Sequence, residues 1–181
     1  MDRIGEFLPF MLEGSVTTVQ VFVLTLVISL PLGLPIALGS NSRFKPLSFL
    51  CKIYVWIFRG TPLMLQLWFF YFFFPFNFGI TFDALTTAVL TYVLNYAAYF
   101  AEIYRGGINS IDRGQYEAAH ALGLSRKQTM FDIILPQTMK AILPPVVNEA
   151  ITLVKDTALV SSLAVIDLMK ATNSAVNRMT S

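Results

Sequence analysis

Charge is scarce in this 181-residue chain. Only 13% of its residues are Asp, Glu, Lys or Arg, where soluble domains carry about 25%. The net charge of +2 is too small to point to nucleic acid. The single cysteine, Cys51, excludes an internal disulfide framework and a paired-cysteine metal site. It reads as a small apolar packing residue. The single histidine, His120, leaves a histidine-based metal centre or a Ser-His-Asp hydrolase hard to build. No GxxxxGK[ST] phosphate loop occurs, so the chain does not bind ATP by that route. What is abundant is apolar: 55% hydrophobic and 14% aromatic, with a mean hydropathy of +0.63. That is the composition of an all-α membrane protein, and residues 1–181 read as one transmembrane domain.

Two long stretches carry no charge at all. Val16 to Leu38 is the first, about 35 Å as a helix and long enough to cross a bilayer. It is too long for a signal peptide and lacks a basic lead. Gly14, Thr18, Thr25, Ser29 and Gly33 share one face of it, a small-residue stripe suited to close helix packing. Pro31 and Pro35 are expected to kink its end. Asn41 to Arg59 reads as an amphipathic approach along the interface, with Lys45, Lys52 and Arg59 on one face. Gly60 to Phe82 is the second uncharged stretch, and its span is placed at 57–74 with a break at Pro75. Its aromatic run reads as facing lipid and neighbouring helices.

A third span is expected at 84–105. Thr91, Asn95, Ala98, Glu102 and Arg105 share one of its faces, which must point into the bundle because lipid cannot satisfy it. The fourth span, 141–166, holds Glu149, Lys155 and Asp156. Each charge costs about 2.5–3.5 kcal/mol at mid-membrane, so these must pair, face water or sit near an edge. Asn148 and Thr152 share their faces. Asp167 to Ser181 is polar and turn-like. Lys and Arg counts give orientation. The lead has one, 39–59 four, 75–83 none, 102–140 five and the tail two. The alternation puts the N-terminus outside and the 102–140 connection in the cytoplasm.

That connection contains a charged island at 112–137. Asp112 is placed to cap a helix, with Gln115 three residues on. Gly123 is placed to end it in the left-handed conformation. Ser125 and Gln128 have the spacing of a capping box for a second helix, which Pro136 should end or redirect.

The motif Glu-Ala-Ala at 117–119, then Gly123, then Ile133, Leu135 and Pro136 resembles the EAA loop of permease subunits of binding-protein-dependent ABC importers. Arg-Gly-Thr-Pro-Leu at 59–63, Ala-Ala-Tyr-Phe-Ala-Glu-Ile-Tyr-Arg-Gly at 97–106 and Leu-Val-Lys-Asp-Thr at 153–157 narrow the resemblance to the polar amino acid branch. It covers residues 15 to about 168.

The resemblance implies a MetI-like helical bundle in a bacterial cell membrane, one part of an ATP-driven amino acid importer. It implies a fifth, closing helix, whereas this chain has four candidate spans and no apolar run after Leu168; a segment beyond the sequence is the favoured explanation. It implies cytoplasmic P-loop ATPase partners that hold ATP and Mg, a second permease copy or paralogue, and an external amino-acid-binding protein. The chain itself needs no cofactor and hydrolyses nothing. Coupling to the ATPase falls on Glu117, Ala118, Ala119 and Gly123, supported by Gln115, Tyr116, Leu135 and Pro136. The substrate path falls on the polar faces of the last two spans: Asn95, Glu102, Asn148, Glu149, Thr152, Lys155 and Asp156. An internal ion-pair network among Glu149, Lys155 and Asp156 is the alternative for that cluster. A secondary transporter or channel working alone, and a membrane-embedded enzyme, are the rival functions.

Overall fold

The computed structural model describes residues 2–163, and no strand occurs among them. The tail and the end of the expected fourth span lie outside the described residues. α1 (Asp2–Ser40) is one unbroken helix. It passes Pro31 and Pro35 without an interruption of the helix. Its Gly14–Ser40 part is long and apolar enough to span a membrane. The small-residue stripe does what its spacing implies: Gly14, Thr25, Ser29 and Gly33 are buried, and α1 makes the most extensive helix contact, against α5 (Ala84–Asn109).

α2 (Lys45–Gly60) folds back along α1. Ser48 Oγ donates to the Ser40 carbonyl at 2.7 Å, and Cys51 lies against Gly39 as a packing residue. The second span departs from expectation. Its break falls at Thr61–Pro62, not at Pro75. Lys45–Gly60 and Leu63–Phe78 are a pair bent by 105° that together pass as one spanning unit. α2 is thus the first arm of this bent pair. The second arm is α3 (Leu63–Trp68), a π-helical turn (Phe69–Phe73) and α4 (Phe74–Phe78).

The π turn explains why Pro75 does not break the helix. A proline has no N–H for the carbonyl four residues back, and its ring crowds that carbonyl. Here the Phe74 N–H reaches five residues back, to the Phe69 carbonyl, and the widened turn absorbs the ring. The same device recurs at Pro136. α7 (Arg126–Gln128) runs into a π turn (Thr129–Ile134), Leu135 N–H reaches the Met130 carbonyl, and α8 (Leu135–Asp156) continues. Pro136 neither ends nor redirects the helix. α8 is not among the helices apolar enough to count as a span by composition. Its α-helix ends at Asp156 and tightens into a 3-10 helix, Thr157–Leu163.

α5 is the central helix. Asp83 caps it, accepting from Thr86 N at 3.0 Å. The Thr86 hydroxyl bond holds the Asp83 carboxyl below its ordinary value, so the cap is intact at neutral pH and weakens on acidification. Tyr92, Tyr96 and Phe100 of α5 form the core with Val21, Leu67, Leu153 and Val160. α8 crosses α5 at Gly107, where an added Cβ would lie 2.1 Å from Ile142 Cγ2. That atom ends a flexible side chain. Gly107→Ala is accordingly expected to cost about 1–2 kcal/mol and to lower the melting temperature in detergent. In an Ile142→Ala background, which removes the opposing Cγ2, the same glycine substitution should cost much less than it does beside isoleucine.

Candidate functional site

Two polar cavities lie side by side along α5. The larger, about 570 Å³, is lined by Lys52, Arg59, Glu102 and Arg105 among others. Glu102 and Arg105 form an ion pair, with Arg105 Nε donating to Glu102 Oε2 at 2.9 Å. The second, about 410 Å³, is lined by Arg59, Tyr96, Tyr99, Glu149, Thr152 and Asp156, together with residues 60–63. Arg59, Gly60 and Tyr99 belong to both. The Arg59 guanidinium sits 5.1 Å from the centre of the Tyr99 ring, a cation–π distance.

Local structure explains why these groups meet. Helix α8 runs antiparallel to α5, with Ile142 against Gly107 at one end and Asp156 against Tyr92 and Tyr96 at the other. Tyr96 Oη donates to Asp156 Oδ2 at 2.7 Å, and Tyr92 Oη donates to the Asp156 backbone carbonyl. Glu149 and Asp156 are seven residues apart and so share a helix face. No salt bridge joins either carboxylate to a base; Glu102–Arg105 is the one salt bridge among the described residues. Lys155 is exposed and does not line the cavity, so the alternative of an internal ion-pair network is not supported.

Of the expected path residues, Glu149, Thr152 and Asp156 come together. Glu102 lies in the neighbouring cavity. Asn148 and Lys155 point elsewhere, because α8 has one cavity-facing side and they are off it. Asn95 edges the cavity, but its amide is bonded to Phe58 O and Gln66 Oε1, both at 3.0 Å. Arg59, Tyr96 and Tyr99 also line these cavities and were not singled out by the sequence reading as path residues. The Arg-Gly-Thr-Pro-Leu motif held the signal for Arg59, since a proline break in a span exposes backbone that must line a cavity.

The charged island forms a compact knob. Asp112 caps α6 (Arg113–Ala121) through Gly114 N at 2.6 Å. Gln115 does not join that cap; it accepts from Gln137 Nε2 at 3.0 Å. Gly123 has φ +74°. Leu124 N donates to Ala119 O at 3.1 Å and Gly123 N to His120 O at 3.0 Å, which is a Schellman end. Ser125 and Gln128 form the expected capping box. Ala119 is buried, while Tyr116, Glu117, Ala118, Leu135 and Pro136 are exposed. Leu122 and Phe131, 77% and 64% exposed, add an apolar surface to this polar segment.

A helical bundle with helices long and apolar enough to span a membrane and with a charged cavity has the make-up of a membrane translocation component. Residues 29–179 match the family described as binding-protein-dependent transport system inner membrane component. The chain is 44% identical over 163 residues to the arginine transport system permease protein ArtQ of Bacillus subtilis, covering 90% of this chain and 74% of that one. It is 39% identical over 161 residues to a putative glutamine transport system permease protein, GlnP, of Rickettsia felis, covering 89% and 74%. It also superimposes on a crystal structure of an amino acid ABC transporter with histidines, with TM-score 0.88 and 35% identity, covering 98% of this chain and 82% of that one. The chain belongs to the MetI-like family of amino acid ABC transporter permeases. Members of this family are membrane subunits, not catalytic ones, and sit in the bacterial inner membrane.

Proposed function

We propose that this chain lines the pathway of an ATP-driven importer for polar amino acids, with Glu149 and Asp156 receiving the substrate's ammonium group. The observation that carries this is the second cavity: two carboxylates without a basic partner, faced by the Arg59 guanidinium. That pattern is complementary to a zwitterion. Two carboxylates against one guanidinium leave the site net negative, which favours substrates with a further positive charge. Relatives named for arginine and glutamine transport support the polar amino acid class.

Four membrane crossings are the reading here: α1, the broken α2–α4 unit, α5 and α8 with its 3-10 extension. The N-terminus is outside and the EAA knob, 112–137, in the cytoplasm. α8 spans although it is weakly apolar because its charged face looks onto the cavity rather than lipid. Both cavities are open rather than enclosed in the single chain, and in this reading their mouths lie on the flank of the bundle. A second permease copy or paralogue is needed to cover that flank, since lipid would not tolerate the charges. The EAA knob docks on a P-loop ATPase that binds ATP and Mg, and an external binding protein delivers the substrate.

The test is uptake by the complete complex in proteoliposomes. Glu149→Gln is expected to lower uptake about tenfold, the scale of one lost charge-assisted contact. The loss should be greater for lysine or arginine than for glutamine. Unchanged uptake and preference would sink the site assignment. Uptake driven by an ion gradient with no copurifying ATPase would overturn the importer reading in favour of a secondary transporter.

A further inference from the structure

Pro62 deletes a backbone donor in the middle of the broken span. In a regular helix the Phe58 carbonyl would accept from residue 62, which as proline has no N–H. Two side-chain amides meet that carbonyl instead: Gln66 Nε2 at 2.9 Å and Asn95 Nδ2 at 3.0 Å. Gln66 Nε2 also reaches Thr61 O at 3.1 Å and Thr61 Oγ1 at 2.7 Å. The two side chains bond each other, Asn95 Nδ2 to Gln66 Oε1, at 3.0 Å. Gln66 is 7% exposed and Asn95 4%. Both Asn95 donors are thereby committed, so its amide does not reach into the cavity for substrate. The knot is uncharged, buried and tied to the two carbonyls that flank Arg59 and Gly60. Those two residues, with Tyr99, are shared by both cavities.

We infer that Gln66 and Asn95 are positioning residues for transport. By replacing the donor that Pro62 removes, they lock the 105° bend, and the bend holds Arg59 at the boundary between the two cavities, where it gates passage. A buried amide left without partners costs about 1–3 kcal/mol. A knot of this kind therefore has one low-energy geometry, and Arg59, one residue after Phe58, inherits it. The inference rests on the cavities being the pathway.

The experiment uses the complete complex, permease with its ATPase and binding protein, in proteoliposomes. The variants are Asn95→Asp, which keeps shape but loses both donors, Asn95→Leu, Arg59→Gln, and Asn95→Asp with Arg59→Gln. Either Asn95 variant is expected to lower the maximal uptake rate per complex about tenfold, matching the loss of the buried partners. The half-saturating concentration of loaded binding protein should stay unchanged. The double variant should be no slower than Arg59→Gln alone, because the knot acts through Arg59.

A merely structural role would lower the amount of complex instead, and its effect would multiply with that of Arg59→Gln. Multiplying losses, or wild-type rates in both Asn95 variants, would overturn the inference. Wild-type uptake by Arg59→Gln alongside loss in Glu149→Gln would overturn it while leaving the pathway reading intact. Unchanged uptake in Glu149→Gln with the non-additivity preserved would remove the carboxylate assignment and leave the knot. If Asn95→Leu does not assemble, Pro62→Ala is added to return the backbone donor. Recovery of assembly supports the inference and continued failure counts against it.

Discussion

Gly123→Val is expected to abolish most of the stimulation of the partner ATPase by loaded binding protein. The reason is conformational. Gly123 has φ +74°, in the left-handed region, where an L-residue costs about 1–2 kcal/mol and a β-branched one more. An added Cβ would meet nothing within 4 Å, so no clash contributes. Relief of the strain requires giving up the Schellman bonds from Leu124 to Ala119 and from Gly123 to His120. Those bonds set the angle between α6 and the helix that begins at Arg126. An energy of 1–2 kcal/mol is about a 5–30-fold shift in an equilibrium, enough to depopulate the docking geometry. Gly123→Asn provides the contrast. Asparagine tolerates the left-handed region, so this variant should keep most of its stimulation. The measurement is ATP hydrolysis by the complex in lipid, with and without loaded binding protein. Equal loss in the valine and asparagine variants would point to side-chain bulk at a contact surface rather than to backbone angle.

Gly33→Leu is expected to prevent the bundle from assembling. A Cβ at Gly33 would lie 2.9 Å from Phe100 Cβ, 3.0 Å from Ala101 N and 3.2 Å from Ala97 O. Two of these atoms are backbone and cannot rotate away, unlike Ile142 opposite Gly107. α1 would have to lift from α5 along the whole contact that buries Val21, Thr25 and Ser29. Overpacking costs about 1–3 kcal/mol where side chains can give, and helices pressed together at backbone distance have no such freedom. Gly33→Ala should assemble at reduced yield and Gly33→Leu hardly at all, read as the monodisperse fraction on size exclusion in detergent. A normal yield of the leucine variant would mean that α1 and α5 do not pack as described.

Much of this molecule is legible in one dimension, where a single physical rule acts on neighbouring residues. The uncharged run from Val16 to Leu38 and the small-residue stripe on it define α1 and its buried face. Asp112, Gly123 and the Ser125–Gln128 pair mark the ends of the helices in the charged island, because caps and left-handed glycines are local events. The EAA spacing carries the family, and the family match agrees with it.

Other features depend on which partner is within reach, and a linear pattern does not contain that. Pro62 breaks its span while Pro75 and Pro136 do not. A π turn precedes each of the latter two, and side-chain amides from Gln66 and Asn95 cap the first. Helical periodicity put Asn95 on a polar face, and only packing commits it to the knot. It equally put Lys155 beside Asp156, and only the rotation of α8 against α5 turns one to the outside and the other to Tyr96. Membership, polarity and the helix caps were thus decided by sequence alone, through local sterics and hydrophobic patterning. The cavity that joins Arg59 to Glu149 and Asp156 was decided by tertiary structure, because its groups come from helices whose mutual rotation is set by close packing at Gly33 and Gly107.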